Sequence, residues 1–413
     1  MEKTDAIISL DLGTNSIHGV IAQINSENKI EVLSADTFLS DGVKNGVISD
    51  IGAAEFTVKK FLSKAEEEFK VENVDMFCAV RGALIEVNNA NTRMKIDEEE
   101  GGIVTENTIS EIIERLEETN KIPDTKEIID IIPQQYKIDE QVVTNPLRMS
   151  GKYLELTALM ISGTKNNMSS IKQATGGNKL RYGYSSISDT LVSNDDKDLG
   201  CILVDIGGMT TGIVIYSEGK LKYSFELDFG ADYITRDIAA KLKITKKEAT
   251  RIKENYGYIL EDLITDNTEF EYSLPGNKTG KLTARELVDI IKPQVDLQLE
   301  KMLEIFNQKS IIPAEFVGGF ILTGGGSLLK GMPEAFAKYF TSVAKCANFT
   351  EEDFDCPDDN IINSQIYTTT LAVLKNSLKD FSPSVSSNVS IRASKGKGVI
   401  QGIYDMPDGT SMK

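Results

Sequence analysis

The 413-residue sequence predicts an α/β fold in which one unit has been duplicated, so that its two halves share a cleft, with a further subdomain inserted in the first half. Three observations carry this. A pattern of strand, acidic glycine turn, strand, hairpin turn and strand occurs at Ala6–Leu33 and again at Cys201–Leu227, roughly 194 positions later. Helical periodicities with N-cap signals lie between these strands. A third glycine-rich turn follows a buried apolar run near the end of the chain.

In chain order, Ala6-Ile-Ile-Ser-Leu10 leads into Asp11-Leu-Gly13-Thr14, then Ile17 to Ile24, a polar turn at Asn25–Asn28, and a strand from Lys29 to Leu33. Behind Asp50, the residues Ile51, Ala54, Val58, Phe61, Leu62, Ala65 and Phe69 share one helical face, which predicts a helix with Asp50 as N-cap. Residues 81–163 interrupt this half with a charged helix (Ile109, Ile112, Ile113, Leu116), an apolar run Ile128–Ile132 and an alternating strand Leu154–Ile161. They read as the inserted subdomain. The second copy runs from Cys201-Ile-Leu-Val204 through Asp205-Ile-Gly207-Gly208 and Thr210 to Ile213–Tyr216, a Glu218-Gly219 turn and Lys220–Leu227. Thr245 with Glu248 and Thr283 with Glu286 fit capping boxes and predict helices through Ile252 and Tyr256, and through Leu287, Ile290 and Ile291. Pro293 predicts a kink, or a junction with a helix carrying Leu299, Met302, Leu303 and Phe306. Val317–Thr323 reads as a buried strand before Gly324-Gly-Gly326, with a further helix from Pro333 to Phe340. From Ser382 to Lys413 the chain is rich in Ser and Gly and lacks periodicity, which predicts a flexible tail.

Composition limits the chemistry. Lys and Arg number 45 against 63 Asp and Glu, a net charge of −18, which argues against a nucleic-acid partner. His18 is the sole imidazole, so histidine triads and multi-histidine metal sites are excluded; it is expected as a strand residue beside the cleft, not a ligand. Cys78, Cys201, Cys346 and Cys356 form no C-x-x-C pair and read as buried thiols in a reducing compartment. No apolar run approaches the ~18 residues of a spanning helix, and no h-region follows Met1, so the chain is expected in the cytoplasm.

The two acidic glycine turns are the first candidates for chemistry. A tight turn between strands aims backbone N–H groups at phosphate oxygens, glycine permits close approach, and hydroxyls such as Thr14 or Thr210 add donors. An aspartate at the strand end would hold a hydrated Mg²⁺ rather than the phosphate itself. A pair of ordinary hairpins is the bland alternative, and the recurrence of the pattern after an apolar strand weighs against it. Ile321-Leu-Thr-Gly324-Gly325-Gly326-Ser327 offers bare backbone on which a flat base or ribose can lie, with a packing turn as the alternative. No G-x-x-x-x-G-K-[ST] is present, and a Rossmann turn belongs on an early strand of a βαβ unit.

Two D-x-G turns with a late G-G-G-S element resemble the actin, heat-shock ATPase and sugar-kinase superfamily. Within it the chain is similar to the FtsA family of bacterial cell-division proteins. The resemblance spans nearly the whole chain and includes Leu10-Asp-Leu-Gly-Thr14, Asn45-Gly-Val-Ile-Ser-Asp-Ile51, Leu199 to Gly208 and Leu322 to Ser327. Most diagnostic is the insert's Pro133-Gln-Gln-Tyr136, Ile138-Asp139, Gln141, Asn145-Pro-Leu-Arg-Met-Ser-Gly151 and Leu154-Glu155. The resemblance implies an actin-like, ribonuclease H-like duplicated fold of two lobes around a nucleotide cleft. It divides the chain into residues 1–80 and 164–198 of the first lobe, an insert at 81–163, and a second-lobe core at 199–230 and 314–360. A smaller subdomain at 231–313, a return helix at 361–381 and a tail at 382–413 complete it. It also implies ATP with Mg²⁺. Asp11, Gly13, Thr14 and Asn15 would form the first phosphate turn and Asp205, Gly207, Gly208, Thr210 and Thr211 the second. Asp11 and Asp205 would lie near Mg²⁺ through water, Gly324, Gly325, Gly326 and Ser327 would hold the adenosine, and Lys253 would sit near the ribose or base. Asp189 is the candidate to orient an attacking water, with an exposed loop acid as its plain alternative, so the chain is expected to be at most a slow ATPase.

Several positions depart from the family pattern. Met209 stands for a glycine, Gly212 for an acid, Ser16 for a lysine and Thr250 for a glutamate, which together imply altered nucleotide affinity or slow hydrolysis. The implied role is polymerisation and linkage of the FtsZ ring to the inner face of the membrane at the division site. The C-terminal tail of FtsZ would dock on 231–313, where Gln294 replaces an arginine. The family's basic amphipathic tail helix is represented by Arg392, Lys395, Lys397, Val399, Ile400, Ile403 and Tyr404. Gly396, Gly398, Gly402 and Pro407 disfavour it, so membrane contact is expected to be weak, polymer-assisted or sited elsewhere. A pilus-assembly scaffold of the PilM type and a small-molecule kinase on the same fold are the alternatives. The first is opposed by the Asn145–Gly151 motif, the second by the lack of a catalytic aspartate beside a substrate pocket.

Overall fold

Apolar runs separated by tight turns fold the first repeat into the antiparallel strands β1 (Thr4–Leu12), β2 (Ser16–Ile24) and β3 (Ile30–Leu39). The computed structural model describes residues 4–377 apart from 28, 70, 83, 97–101 and 178; the tail from 382 and its amphipathic segment lie outside the described residues. A short hairpin, β4 (Val43–Lys44) and β5 (Val47–Ile48), leads into α1 (Ile51–Phe69). Asp50 caps α1 as expected, its Oδ1 accepting the Ala53 N–H at 3.0 Å, and Ala54, Val58, Phe61 and Ala65 form its buried face. β6 (Val71–Val80) then pairs parallel to β1 with Ala79 beside Asp11.

The insert is a four-stranded antiparallel sheet. It contains β7 (Ile85–Lys95), α2 (Glu106–Thr119), β8 (Lys126–Ile138), β9 (Gln141–Val143) and β10 (Tyr153–Thr164), in the strand order β7-β10-β8-β9. The apolar stripe Ile109, Ile112, Ile113 and Leu116 of α2 packs in a separate core with Leu154, Leu156 and Ala158. Ile85 lies opposite Gly163, so the chain leaves and re-enters the first lobe at one place. There α3 (Lys165–Thr175), β11 (Lys179–Tyr182), α4 (Gly183–Leu191) and α5 (Asn194–Leu199) follow, and the first sheet is completed in the order β11-β6-β1-β2-β3.

The second repeat forms β12 (Cys201–Ile206), β13 (Thr211–Ser217) and β14 (Lys220–Leu227). Next come α6 (Ala231–Leu242), α7 (Lys246–Tyr256), the hairpin β15 (Phe270–Leu274) and β16 (Lys278–Leu282), and α8 (Ala284–Gln308). The chain returns through β17 (Gly319–Thr323), α9 (Met332–Phe340) and β18 (Ala344–Cys346), giving the sheet order β14-β13-β12-β17-β18. After α10 (Asp359–Ile362), helix α11 (Thr368–Ser377) returns to the first lobe, its Leu371–Leu374 run buried in that lobe's core.

Of the two alternatives at Pro293, the junction between separate helices does not occur. α8 runs unbroken through it, because Leu287 and Ile291 before it and Val295, Leu299, Met302 and Phe306 after it continue one buried stripe. That packing outweighs the lost backbone bond, whose acceptor belongs to Asp289 at an exposed position where water can serve it.

Candidate functional site

The two acidic glycine turns close in the same way. The Gly13 N–H donates to the Ser16 carbonyl at 3.0 Å, and the Gly207 N–H donates to the Thr210 carbonyl at 2.9 Å. Each aspartate sits two residues before its glycine, paired on the antiparallel side with His18 or Gly212. On the parallel side Asp11 meets Ala79 and Asp205 meets Thr323. Two residues beyond those partners stand Arg81 in the first lobe and Gly325 in the second. The duplicated unit therefore presents an arginine from one lobe where the other presents bare backbone.

Arg81 joins the two aspartates. Its Nη2 donates to Asp11 Oδ2 at 2.5 Å, and its Nη1 donates to Asp205 Oδ2. Both carboxylates are buried. Burial alone would lower the Arg81 pKa, but the charges of Asp11 and Asp205 outweigh it and hold the guanidinium well above its ordinary value. The seat for this side chain is built from glycine. A Cβ on Gly183 would come within 2.8 Å of Arg81 Cγ, and a Cβ on Gly212 would lie 2.2 Å from the Tyr184 ring, which stands 5.8 Å from the guanidinium. Glu226, opposite Gly212, borders the same cluster, and burial pushes its carboxyl up even though Thr210 donates to it.

The other expected residues divide. Gly324, at φ +81°, packs against Asp205 and Ile206, while Gly325 has open space above its Cα. Ser327 turns its hydroxyl inward to the Gly324 carbonyl at 2.7 Å, Thr211 donates to the Phe229 carbonyl at 2.7 Å, and Thr14 Oγ1 accepts the Asn45 N–H at 2.9 Å. Lys253 lies beside the second turn. Its Nζ donates to Thr235 Oγ1 at 2.9 Å on α6, whose Asp232 N–H donates to the Gly208 carbonyl, and burial lowers its pKa. Gly208 and Asn15 touch across the lobes, since a Cβ on Gly208 would fall 2.3 Å from Asn15 Nδ2. Asn15 donates to Asp232 Oδ1 at 2.6 Å, and Lys246 donates to Asp232 Oδ2 at 2.7 Å and Asn15 Oδ1 at 3.2 Å. These contacts hold the lobes together across the seam, and a cavity of about 10 Å³, the room of one water, lies within the first lobe beside Asp11 and Arg81.

Two expectations change here. Asp189 is exposed and lies at the far end of β13 from the turn, where Tyr216 donates to it at 3.4 Å and Lys197 approaches to 3.8 Å. Tyr216 pairs with Cys201, four strand residues from Asp205, roughly 13 Å along the strand, so Asp189 is not part of the cleft. A divalent ion between Asp11 and Asp205 does not fit the residues present, because Arg81 occupies the gap and takes an oxygen from each. No group of three His, Cys, Asp or Glu side chains is placed to hold a metal among the described residues. His18 is no ligand either: Ser16 and Thr37 hydroxyls lie 2.8 and 3.0 Å from its ring nitrogens, and burial lowers its pKa. Sequence reasoning missed Arg81, Glu226, Asp232 and Lys246. A charged residue directly after the apolar strand Met76–Val80 was the available signal for Arg81, but only strand register shows what it faces.

The comparisons agree with this architecture. The profile described as "Cell division protein FtsA" matches residues 202–372, and "SHS2 domain inserted in FTSA" matches 82–162, together well over half of the chain. Cell division protein FtsA of Bacillus subtilis is 26% identical over 341 residues, covering 80% of this chain and 76% of that protein. The Neisseria meningitidis protein of the same name is 28% identical over 355 residues, covering 82% and 83%. Among solved structures, a PilM-PilN type IV pilus biogenesis complex matches with TM-score 0.58 at 14% identity over 91% of this chain and 99% of that one. MreB 5 of Spiroplasma citri bound to AMPPNP matches with TM-score 0.54 at 14% identity over 93% and 100%. The structures share the fold, and the profiles with the insert specify the branch: this chain belongs to the FtsA family of actin-like cell-division proteins.

Proposed function

We propose that this chain binds a nucleoside triphosphate, ATP, between its lobes and assembles head to tail into filaments that connect an FtsZ ring to the membrane. The observation that carries the nucleotide is the pair of turns, closed alike by Gly13–Ser16 and Gly207–Thr210 and converging on Arg81. Turns of this kind present N–H groups to phosphates from both sides, and Gly325 leaves a bare surface for the base. Triphosphate binding would require the Asn15–Asp232–Lys246 contact to part. Any hydrolysis would be slow, in keeping with Ser16, Met209, Gly212 and Thr250 standing where the family pattern has other residues.

Filament growth follows from a heterologous contact between copies, which does not close on itself. An FtsZ tail would dock on 231–313, and the membrane role would be peripheral, at the inner face of the division site. No described helix is long and apolar enough to cross a membrane. The test is sedimentation of the full chain with liposomes and an FtsZ C-terminal peptide, with and without ATP. The reading predicts ATP-promoted pelleting that carries the peptide; pelleting indifferent to ATP with the peptide left in solution contradicts it.

A further inference from the structure

We infer that Arg81 is the built-in cation of this cleft: it stands in place of a divalent ion between Asp11 and Asp205, so that lobe closure and nucleotide binding proceed without metal. The nucleotide part rests on the function proposed above; the exclusion of metal from the aspartate pair does not.

Two buried carboxylates from opposite lobes repel unless a cation lies between them. Arg81 supplies one that is permanent and forked, with one amino group on each aspartate. A Mg²⁺ ion needs octahedral oxygen ligands at roughly 2.0–2.1 Å and keeps much of its water. Here Oδ2 of each carboxylate is already taken by the guanidinium, which lies between the two aspartates.

The seat is built for this side chain. Gly183 leaves room for its stem, and the Tyr184 ring walls it in by occupying the space over Gly212. An acid at 212, which the family resemblance implies, would collide with that ring. Gly212 and the seat of Arg81 are therefore linked through the Tyr184 ring. In the second lobe the equivalent position is Gly325, open above its Cα, so the arginine is a feature of one lobe and not of the repeated unit. With two amino groups on carboxylates, the guanidinium retains N–H donors for an entering phosphate, and a charge-assisted bond to phosphate is what this group makes best.

The test uses the full chain and Mn²⁺ as a paramagnetic probe, with no nucleotide. The expectation is no stoichiometric Mn²⁺ site in the wild type, and a melting temperature unmoved by Mg²⁺. Arg81→Ser uncovers the pair, so its melting temperature rises with Mg²⁺ by several degrees and one Mn²⁺ binds. Should Arg81→Ser not fold, the wild-type measurement still decides: one tightly held Mn²⁺ overturns the inference. In a second arm, a fluorescent ATP analogue is titrated in EDTA and in Mg²⁺. Affinities within about threefold support it, and a loss of about tenfold or more in EDTA overturns it while leaving the nucleotide reading intact. Absence of binding in both buffers overturns the nucleotide reading, and the Mn²⁺ arm alone then judges the role of Arg81.

Discussion

Gly324 and Gly325 are neighbours in one turn with opposite tolerances. Gly324 has φ +81°, and a Cβ there would sit 2.4 Å from Asp205 Oδ1 and 2.7 Å from the Ile206 carbonyl. Gly324→Ala should cost about 2 kcal/mol or more in urea unfolding, from strain and overpacking together. Gly325→Ala meets nothing within 4 Å and should stay within about 0.5 kcal/mol of the wild type. Glu226 gives a pH-dependent case. Burial raises its folded pKa above the unfolded value, so the protonated form favours the native state, and that contribution is lost as pH rises through the folded pKa. Glu226→Gln should therefore raise the urea midpoint at alkaline pH and lose this advantage under acid conditions where the glutamate is itself protonated. At this scale, Asp11, Gly13, Asp205 and Gly207 were legible because a hairpin turn is local in sequence. Arg81 was not, because its meaning depends on β6 lying parallel to β1 and on the two lobes meeting. Asp189 misled for the same reason: an acid near a helix end looks alike at either end of the sheet.

The elements were read well wherever packing and propensity agree. The capping box at Thr283 and Glu286 starts α8 as the spacing predicts, with the Thr283 side chain accepting the Glu286 N–H at 3.3 Å. Thr283→Ala should lower stability by about 1 kcal/mol, seen as a shift of the urea midpoint without a change in slope. At Pro293 one helix continues where a junction was an alternative, because a proline acts on the local ladder while the buried stripe of α8 acts over its whole length. The insert shows the converse: its helix and strands were visible as periodicities, but its independent core required the pairing order β7-β10-β8-β9. Ile112→Ala in that core should cost about 2–4 kcal/mol. Hydrogen exchange should then quicken in β7, α2 and β10 while β1 and β12 keep their protection.

At the level of the molecule, a duplication visible in sequence produces two sheets whose aspartate turns meet, and residues from both lobes hold that meeting shut. Arg81 reaches Asp205, and Asn15 reaches Asp232, with Lys246 on the same carboxylate. Asp232→Ala removes the shared acceptor, so the nucleotide-free chain should show a larger radius of gyration by solution scattering than the wild type. The central claim is that this closed seam is a nucleotide cleft with Gly325 under the base, and a calorimetric titration of ATP into the wild type and into Gly325→Val tests it most directly. The account predicts saturable binding by the wild type and a loss of roughly tenfold or more in a variant that melts at the same temperature. Equal affinity in the two proteins, or no saturable heat with the wild type, would contradict it.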